Sequence, residues 1–137
     1  MIKKVLNGAT KEREIRVSAG QTTIFLWKGE NVFSTPSMIS EMEETCRLLL
    51  KDKFLKDEEW DSVGTLVNVR HLKATPVGTQ VKLKAKVINV NDRRVTFEVE
   101  AVDMIEKIGE GLHERTIINV PEFRERFNKK LKKLENL

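Results

Sequence analysis

The chain has 137 residues, with 25 Lys and Arg against 21 Asp and Glu, a formal net charge of +4. That length suits one domain burying roughly two-thirds of its unfolded surface, and 39% hydrophobic with 34% charged residues excludes a disordered chain. No run nears the ~18 apolar residues of a membrane span, the start MIKKVLNGATKERE lacks a signal peptide's apolar stretch, and the lone Cys46 permits neither an internal disulfide nor a metal-ligand spacing. A single cytoplasmic domain over residues 1–137, without structural metal, is therefore expected. The basic residues are interleaved with acids and not gathered in a block, which disfavours a nucleic-acid surface.

In chain order, residues 11–26 read as an extended arm, EIRVS and QTTIFL being separated by the turn-prone Ala19-Gly20 pair. WKGEN makes a loop. The segment TPSMISEMEETCRLLLKDK predicts a helix with Thr35 as N-cap and Pro36 at the first helical position, where its missing N–H costs nothing. At about 100° per residue, Thr35, Met38, Ile39, Met42, Cys46, Leu49 and Leu50 fall in one apolar arc. Glu43 lies at its edge, so it is the one acid of this helix expected to be partly buried. Cys46, Met38 and Met42 read as core.

From Trp60 the period changes to two, which puts Val63, Thr65, Val67, Val69 and His71 on the inner face of a strand ending near LKATPVG. The next strand alternates Val81, Leu83, Ala85 and Val87 inward with Lys82, Lys84 and Lys86 outward, and turns at Asn91-Asp92-Arg93. Its partner carries Val95, Phe97, Val99 and Ala101. With Asp92 at the centre, Lys86 faces Glu98, Lys84 faces Glu100, Val87 meets Phe97 and Ala85 meets Val99. A last strand from about Lys107 to Ile118 leads through Pro121 into a C-terminal helix whose lysines form a solvated face. The order is α+β: an antiparallel sheet wrapped around one long central helix, with a helix at the C-terminus.

Three segments go beyond architecture: VFSTPSMISEMEE, SVGTLVNVRHLKATPVG and VDMIEKIGEGLHER. From about Val32 to Arg115 they resemble the fluoroacetyl-CoA thioesterase family. The resemblance implies a hot-dog fold, hydrolysis of an acyl-CoA thioester, no cofactor beyond the CoA of the substrate, and a homodimer. It implies catalytic roles for Thr35, Glu43 and His71, a main-chain position at Gly64 beside the substrate carbonyl, and a substrate-contacting Arg115. Phe33, in the loop before the STP turn, is a substrate-side candidate. The stretch TTIFLWKGENVF carries Phe25, Trp27 and Phe33 without a position-for-position match to the family's aromatic lid, so a short or medium acyl-CoA, or an acyl group on another carrier, is as plausible a substrate as fluoroacetyl-CoA.

These residue types suit the chemistry. Thioester hydrolysis needs a base or nucleophile to deliver oxygen, and donors for the oxyanion. Glu43 can activate water, His71 can relay a proton or polarise the carbonyl, and Thr35 can orient them or attack. Taken singly, Thr35 would be a helix cap, Glu43 a snorkelling surface acid and His71 a structural histidine; their joint spacing is what favours a site. His113 is a rival base, set aside for the arginine two positions on.

Eight residues of regular helix separate Thr35 from Glu43 by about 12 Å of rise. Either the first turn is unwound, the favoured expectation, or two protomers share the site. A non-catalytic acyl-CoA-binding module and a dehydratase or hydratase on the same fold are the alternatives.

Overall fold

The computed structural model describes residues 4–23 and 27–137. The elements are β1 (Thr10–Arg16), a 3-10 turn (Ala19–Gln21), α1 (Thr35–Lys53), β2 (Trp60–His71), β3 (Gln80–Asn91), β4 (Arg94–Val102), β5 (Lys107–Asn119) and α2 (Val120–Glu135). The strands form one antiparallel sheet in the order β1-β3-β4-β5-β2.

One face of the sheet curls around α1, which touches all five strands. The helix buries Met38, Met42, Thr45, Cys46, Leu49 and Leu50. Against them the sheet sets the inward residues of β3 (Val81, Leu83, Ala85, Val87) and β4 (Val95, Phe97, Val99, Ala101), all at most 1% exposed. At about 1.5–3 kcal/mol per fully buried large aliphatic side chain, this layer is the main source of stability.

The expected β3–β4 pairs are all present: Lys86 with Glu98, Lys84 with Glu100, Val87 with Phe97 and Ala85 with Val99. The turn itself is one residue shorter than expected. Asn91 pairs with Arg94, leaving Asp92 (φ 57°) and Arg93 at the tip, and a register shift between Val87 and Asn89 restores the pairing further down.

Four other expectations are corrected. Ser34, not Thr35, is the N-cap of α1; its hydroxyl accepts from the Ser37 N–H at 3.2 Å, and Thr35 and Pro36 begin the helix. The helix is regular from Thr35, so the first turn is not unwound, and Thr35 is exposed and not part of the buried arc. Glu41 is deeper than Glu43, with side chains 20% and 39% exposed, because Arg13 (3.2 Å) and Gln21 (2.8 Å) reach its carboxylate. In β2 the alternation slips at a bulge between Gly64 and Leu66. Ser62 is the buried residue before it in place of Val63, while Val69 and His71 are half-buried after it.

Of the QTTIFL segment, Gln21 closes the 3-10 turn and Thr22 bridges to Phe33; Ile24, Phe25 and Leu26 lie outside the described residues. Helix α2 is capped by Asn119, which accepts from the Glu122 N–H at 3.2 Å, and buries none of its residues, its lysines facing solvent as expected.

Two β5 glycines separate rigid from yielding neighbours. A Cβ at Gly111 would lie 2.2 Å from the Asn68 carbonyl oxygen, whereas at Gly109 the obstacle is the flexible end of Met38, 2.5 Å away. Gly111→Ala is expected to cost about 3 kcal/mol or more and Gly109→Ala about 1–2 kcal/mol, read as urea-unfolding midpoints of the two variants.

Candidate active site

The start of α1 faces the end of β2. Thr35 Oγ1 and His71 Nδ1 lie 2.8 Å apart, because the capping role falls to Ser34 and leaves the Thr35 hydroxyl free to reach across. Pro36 has no N–H, Ser37 is capped by Ser34 Oγ, and the Met38 N–H bonds to the Ser34 carbonyl at 2.9 Å. The Thr35 N–H is thereby left without a partner among the described residues, at the positive end of the helix.

Beside this pair is a cleft of about 260 Å³ lined by Thr23, Val32, Phe33, Thr35, His71, Leu72, Lys73 and Ala74. Phe33 is fully buried and pinned by its N–H to the Thr75 carbonyl at 2.8 Å. Two side-chain atoms of the cleft's residues, Thr23 Oγ1 and His71 Nε2, are buried with no hydrogen-bond partner among the described residues. An unpaired buried polar atom costs about 1–3 kcal/mol, so two of them in one cleft call for a ligand, a water or a partner group. A larger hollow near the β3–β4 turn, lined by Lys4, Asn7, Asp92 and Arg93, contains none of the expected residues.

Glu43 is elsewhere. Two turns along α1 it looks onto Gly64, where an added Cβ would fall 2.8 Å from Glu43 Oε1, 3.1 Å from His113 Cε1 and 3.5 Å from Arg115 Nη1. The chain therefore brings together Thr35, His71 and Phe33 in one cluster, and Glu43, Gly64 and Arg115 in a second. His113, set aside in the sequence, is central to the second. It is 1% exposed, its Nδ1 lies 2.8 Å from the Leu66 carbonyl oxygen, and its Nε2 is 3.1 Å from Arg115 Nη1. A carbonyl only accepts, so Nδ1 carries the proton; Nε2 offers its lone pair to the guanidinium. Its 3.8 Å approach to Glu43 is therefore not an ion pair while the ring is neutral. The available signal was spacing: His113 and Arg115, two apart on one strand, share a face.

Burial pushes the pKa of His113 down, the Leu66 carbonyl opposes this, and the Arg115 charge adds to the fall. Burial also lowers His71, opposed by a main-chain contact at Lys73. Cys46, fully buried, has its thiol raised well above the ordinary range, by burial first.

An antiparallel sheet wrapped around a single long helix, with a hydroxyl–imidazole pair at the helix start, is a hot-dog fold of the thioesterase class. The profile of the fluoroacetyl-CoA-specific thioesterase family matches residues 17–121. The fluoroacetyl-CoA thioesterase of Streptantibioticus cattleyicolor is 37% identical over 101 residues, 74% of this chain and 68% of its own. A solved fluoroacetyl-CoA thioesterase superposes with a TM-score of 0.84 at 27% identity, over 93% of this chain and 98% of that one. A Thermus thermophilus thioesterase-superfamily protein shares the fold with a TM-score of 0.88 at 24% identity, over 99% and 100% of the two chains. The chain belongs to the fluoroacetyl-CoA-specific thioesterase family.

The two depressed histidines give a signed pH effect. Unfolded, each takes up a proton near the ordinary imidazole value of about 6.5; folded, each resists protonation until lower pH. Between those values the unfolded state holds more protons, so stability rises with pH and is lost as acid is added below about 6.5. The urea midpoint is expected to fall between pH 7 and pH 5.5, and to fall less in His71→Asn, as measured by fluorescence-monitored unfolding at both pH values.

Proposed function

We propose that this protein hydrolyses short or medium acyl-CoA thioesters as a homodimer, at a site composed of Thr35 and His71 of one protomer with Glu43 and Gly64 of the other. The observation that carries the reading is the 2.8 Å Thr35–His71 pair at the rim of a cleft with unsatisfied buried polar atoms, in a chain of this family. A cleft of about 260 Å³ is slightly below the usual range for small-molecule sites, which supports a short acyl group. Phe33 forms part of its apolar wall.

The sheet's two edges support the dimer. β1 is short and charged, TKEREIR, and so protected. β2 is a 12-residue edge strand with Leu66 49% and Val67 41% exposed. Pairing β2 antiparallel with a second copy about a twofold axis between Val67 and Asn68 sets Gly64 opposite the partner's His71, since antiparallel partners keep a constant sum of residue numbers. The regular helix that parts Thr35 from Glu43 within one chain then brings each to the complementary group of the other chain.

In this site His71 Nδ1–H donates to the Thr35 hydroxyl, so that the neutral ring keeps its Nε2 lone pair in the cleft, and Nε2 accepts the proton of the attacking oxygen. Glu43 holds and activates the water. As that oxygen bonds to the carbonyl carbon, the oxyanion is met by main-chain N–H groups at Thr35 or Gly64, where a helix dipole or a preorganised donor is worth most. Collapse breaks the C–S bond, and the proton held on His71 passes to the departing CoA sulfur. Arg115 supports the Gly64 side from below. No cofactor enters beyond the CoA of the substrate, and a cytoplasmic setting suits an unpaired, buried cysteine.

A panel of acyl-CoA thioesters, followed by free-thiol release, tests the activity. Glu43→Ala, His71→Ala and Thr35→Ala are each expected to lower kcat by about 10²–10⁴-fold. Mixing unfolded Thr35→Ala and Glu43→Ala chains and refolding them should return roughly a quarter of wild-type activity, because half the dimers are then mixed and each has one intact site. No recovery would place the site within one chain. Ligand-induced stabilisation without thiol release would favour a binding module, and double-bond chemistry without it a hydratase.

A further inference from the structure

The β2 bulge is held from the neighbouring strand. Opposite β5, Gly64 pairs with Arg115 and Leu66 with Glu114, so Thr65 is the extra residue. A bulge disrupts the ladder and leaves a residue unpaired, yet here side chains from β5 bind β2 on both sides of it. Toward the C-terminus His113 Nδ1–H donates to the Leu66 carbonyl at 2.8 Å. Toward the N-terminus Arg115 donates from Nε to Ser62 Oγ at 2.7 Å and from Nη2 to the Ser62 carbonyl at 2.8 Å. The halves are joined by Arg115 Nη1–H to His113 Nε2 at 3.1 Å.

The three side chains of the network are buried: His113 1%, Arg115 6% and Ser62 5% exposed. Among the described residues no carboxylate pairs with Arg115 within 4 Å. The carboxylates of Glu43 and Asp61 act on its charge from farther off, and its hydrogen bonds go to Ser62 and His113. At the middle of the assembly is Gly64, with the Glu43 carboxylate against it.

We propose that His113 and Arg115 form a clasp across the β2 bulge that fixes the Gly64 main chain and, through it, the place of the Glu43 carboxylate; His113 is a positioning residue and not the base. The kinetic side rests on the thioesterase reading above, whereas the geometric side does not. His113 is poorly suited to proton transfer, since both its nitrogens are already engaged and burial keeps it neutral. Its tautomer is fixed from both sides.

Two substitutions divide its two bonds. In His113→Asn the amide nitrogen stands near the Nδ1 position and can keep the Leu66 bond; in His113→Gln the amide reaches the Nε2 position and can keep only the Arg115 contact. The expected result is that ¹⁵N amide resonances of Gly64, Thr65 and Leu66 stay near wild type in His113→Asn and shift or broaden in His113→Gln. In acyl-CoA hydrolysis His113→Gln is expected to lose roughly a hundredfold in kcat, the scale of an ångström's misplacement, with KM little changed, and His113→Asn to be largely rescued. Should His113→Gln not fold, Ser62→Ala, which removes one acceptor of Arg115, is read the same way. Unmoved bulge amides in the variant that loses the Leu66 bond would overturn the clasp. So would equal losses of stability and kcat in Asn and Gln variants, the pattern of a merely packed ring. A wild type that releases no thiol from any acyl-CoA would instead end the thioesterase reading, and the amide comparison would still decide the clasp.

Discussion

The packing of α1 along the hollow of the sheet is the constraint to which the rest of the molecule conforms. Its buried stripe, Met38, Met42, Cys46 and Leu49, fixes the rotation of the helix, and that rotation decides where the polar residues of the same helix emerge. Thr35 comes out at the positive end beside His71, and Glu43, two turns on, over Gly64. A rigid rod cannot bend both toward one carbon atom, which is why the proposed site draws on a second protomer. On that proposal the long unprotected edge of β2 and the split arrangement on α1 belong together.

The two imidazoles show how environment assigns roles to identical groups. Both are driven toward neutrality by burial. His113 has both nitrogens committed, to a carbonyl and a guanidinium. His71 has one nitrogen on the Thr35 hydroxyl and the other unpaired in the cleft. Only the second has a ring nitrogen open to a ligand.

Much of this architecture was legible in the chain, for reasons that can be named. The β3–β4 pairs could be read because both strands alternate strictly and carry opposite charges on the outer face, so one register satisfies every position. What could not be read were insertions into that rhythm. The shift near Ile88 and the extra Thr65 leave the alternation plausible on each side while moving its phase, and the second decides that Ser62 and Gly64, not Val63, look inward. Thr35 was found by resemblance and misjudged as a cap because Ser34, an equally good capping residue, stands next to it. Glu41 was read as solvent-facing because its partners, Arg13 and Gln21, come from a distant part of the chain. His113 was passed over because an arginine nearby explained the same segment, although two residues on one strand face belong together.

Cys46 has a consequence of its own. A thioester hydrolase liberates a thiol at every turnover, and any protein sulfhydryl within reach of the substrate could accept the acyl group by exchange or later form a mixed disulfide with the released coenzyme. This one lies among Met42, Leu49 and Leu50 on the inner side of the helix, inaccessible and held in its protonated form. Thiolates and not thiols undertake such reactions. The enzyme's own sulfur is thereby kept out of the chemistry it promotes, and self-acylation and oxidative capture by its product are both closed off.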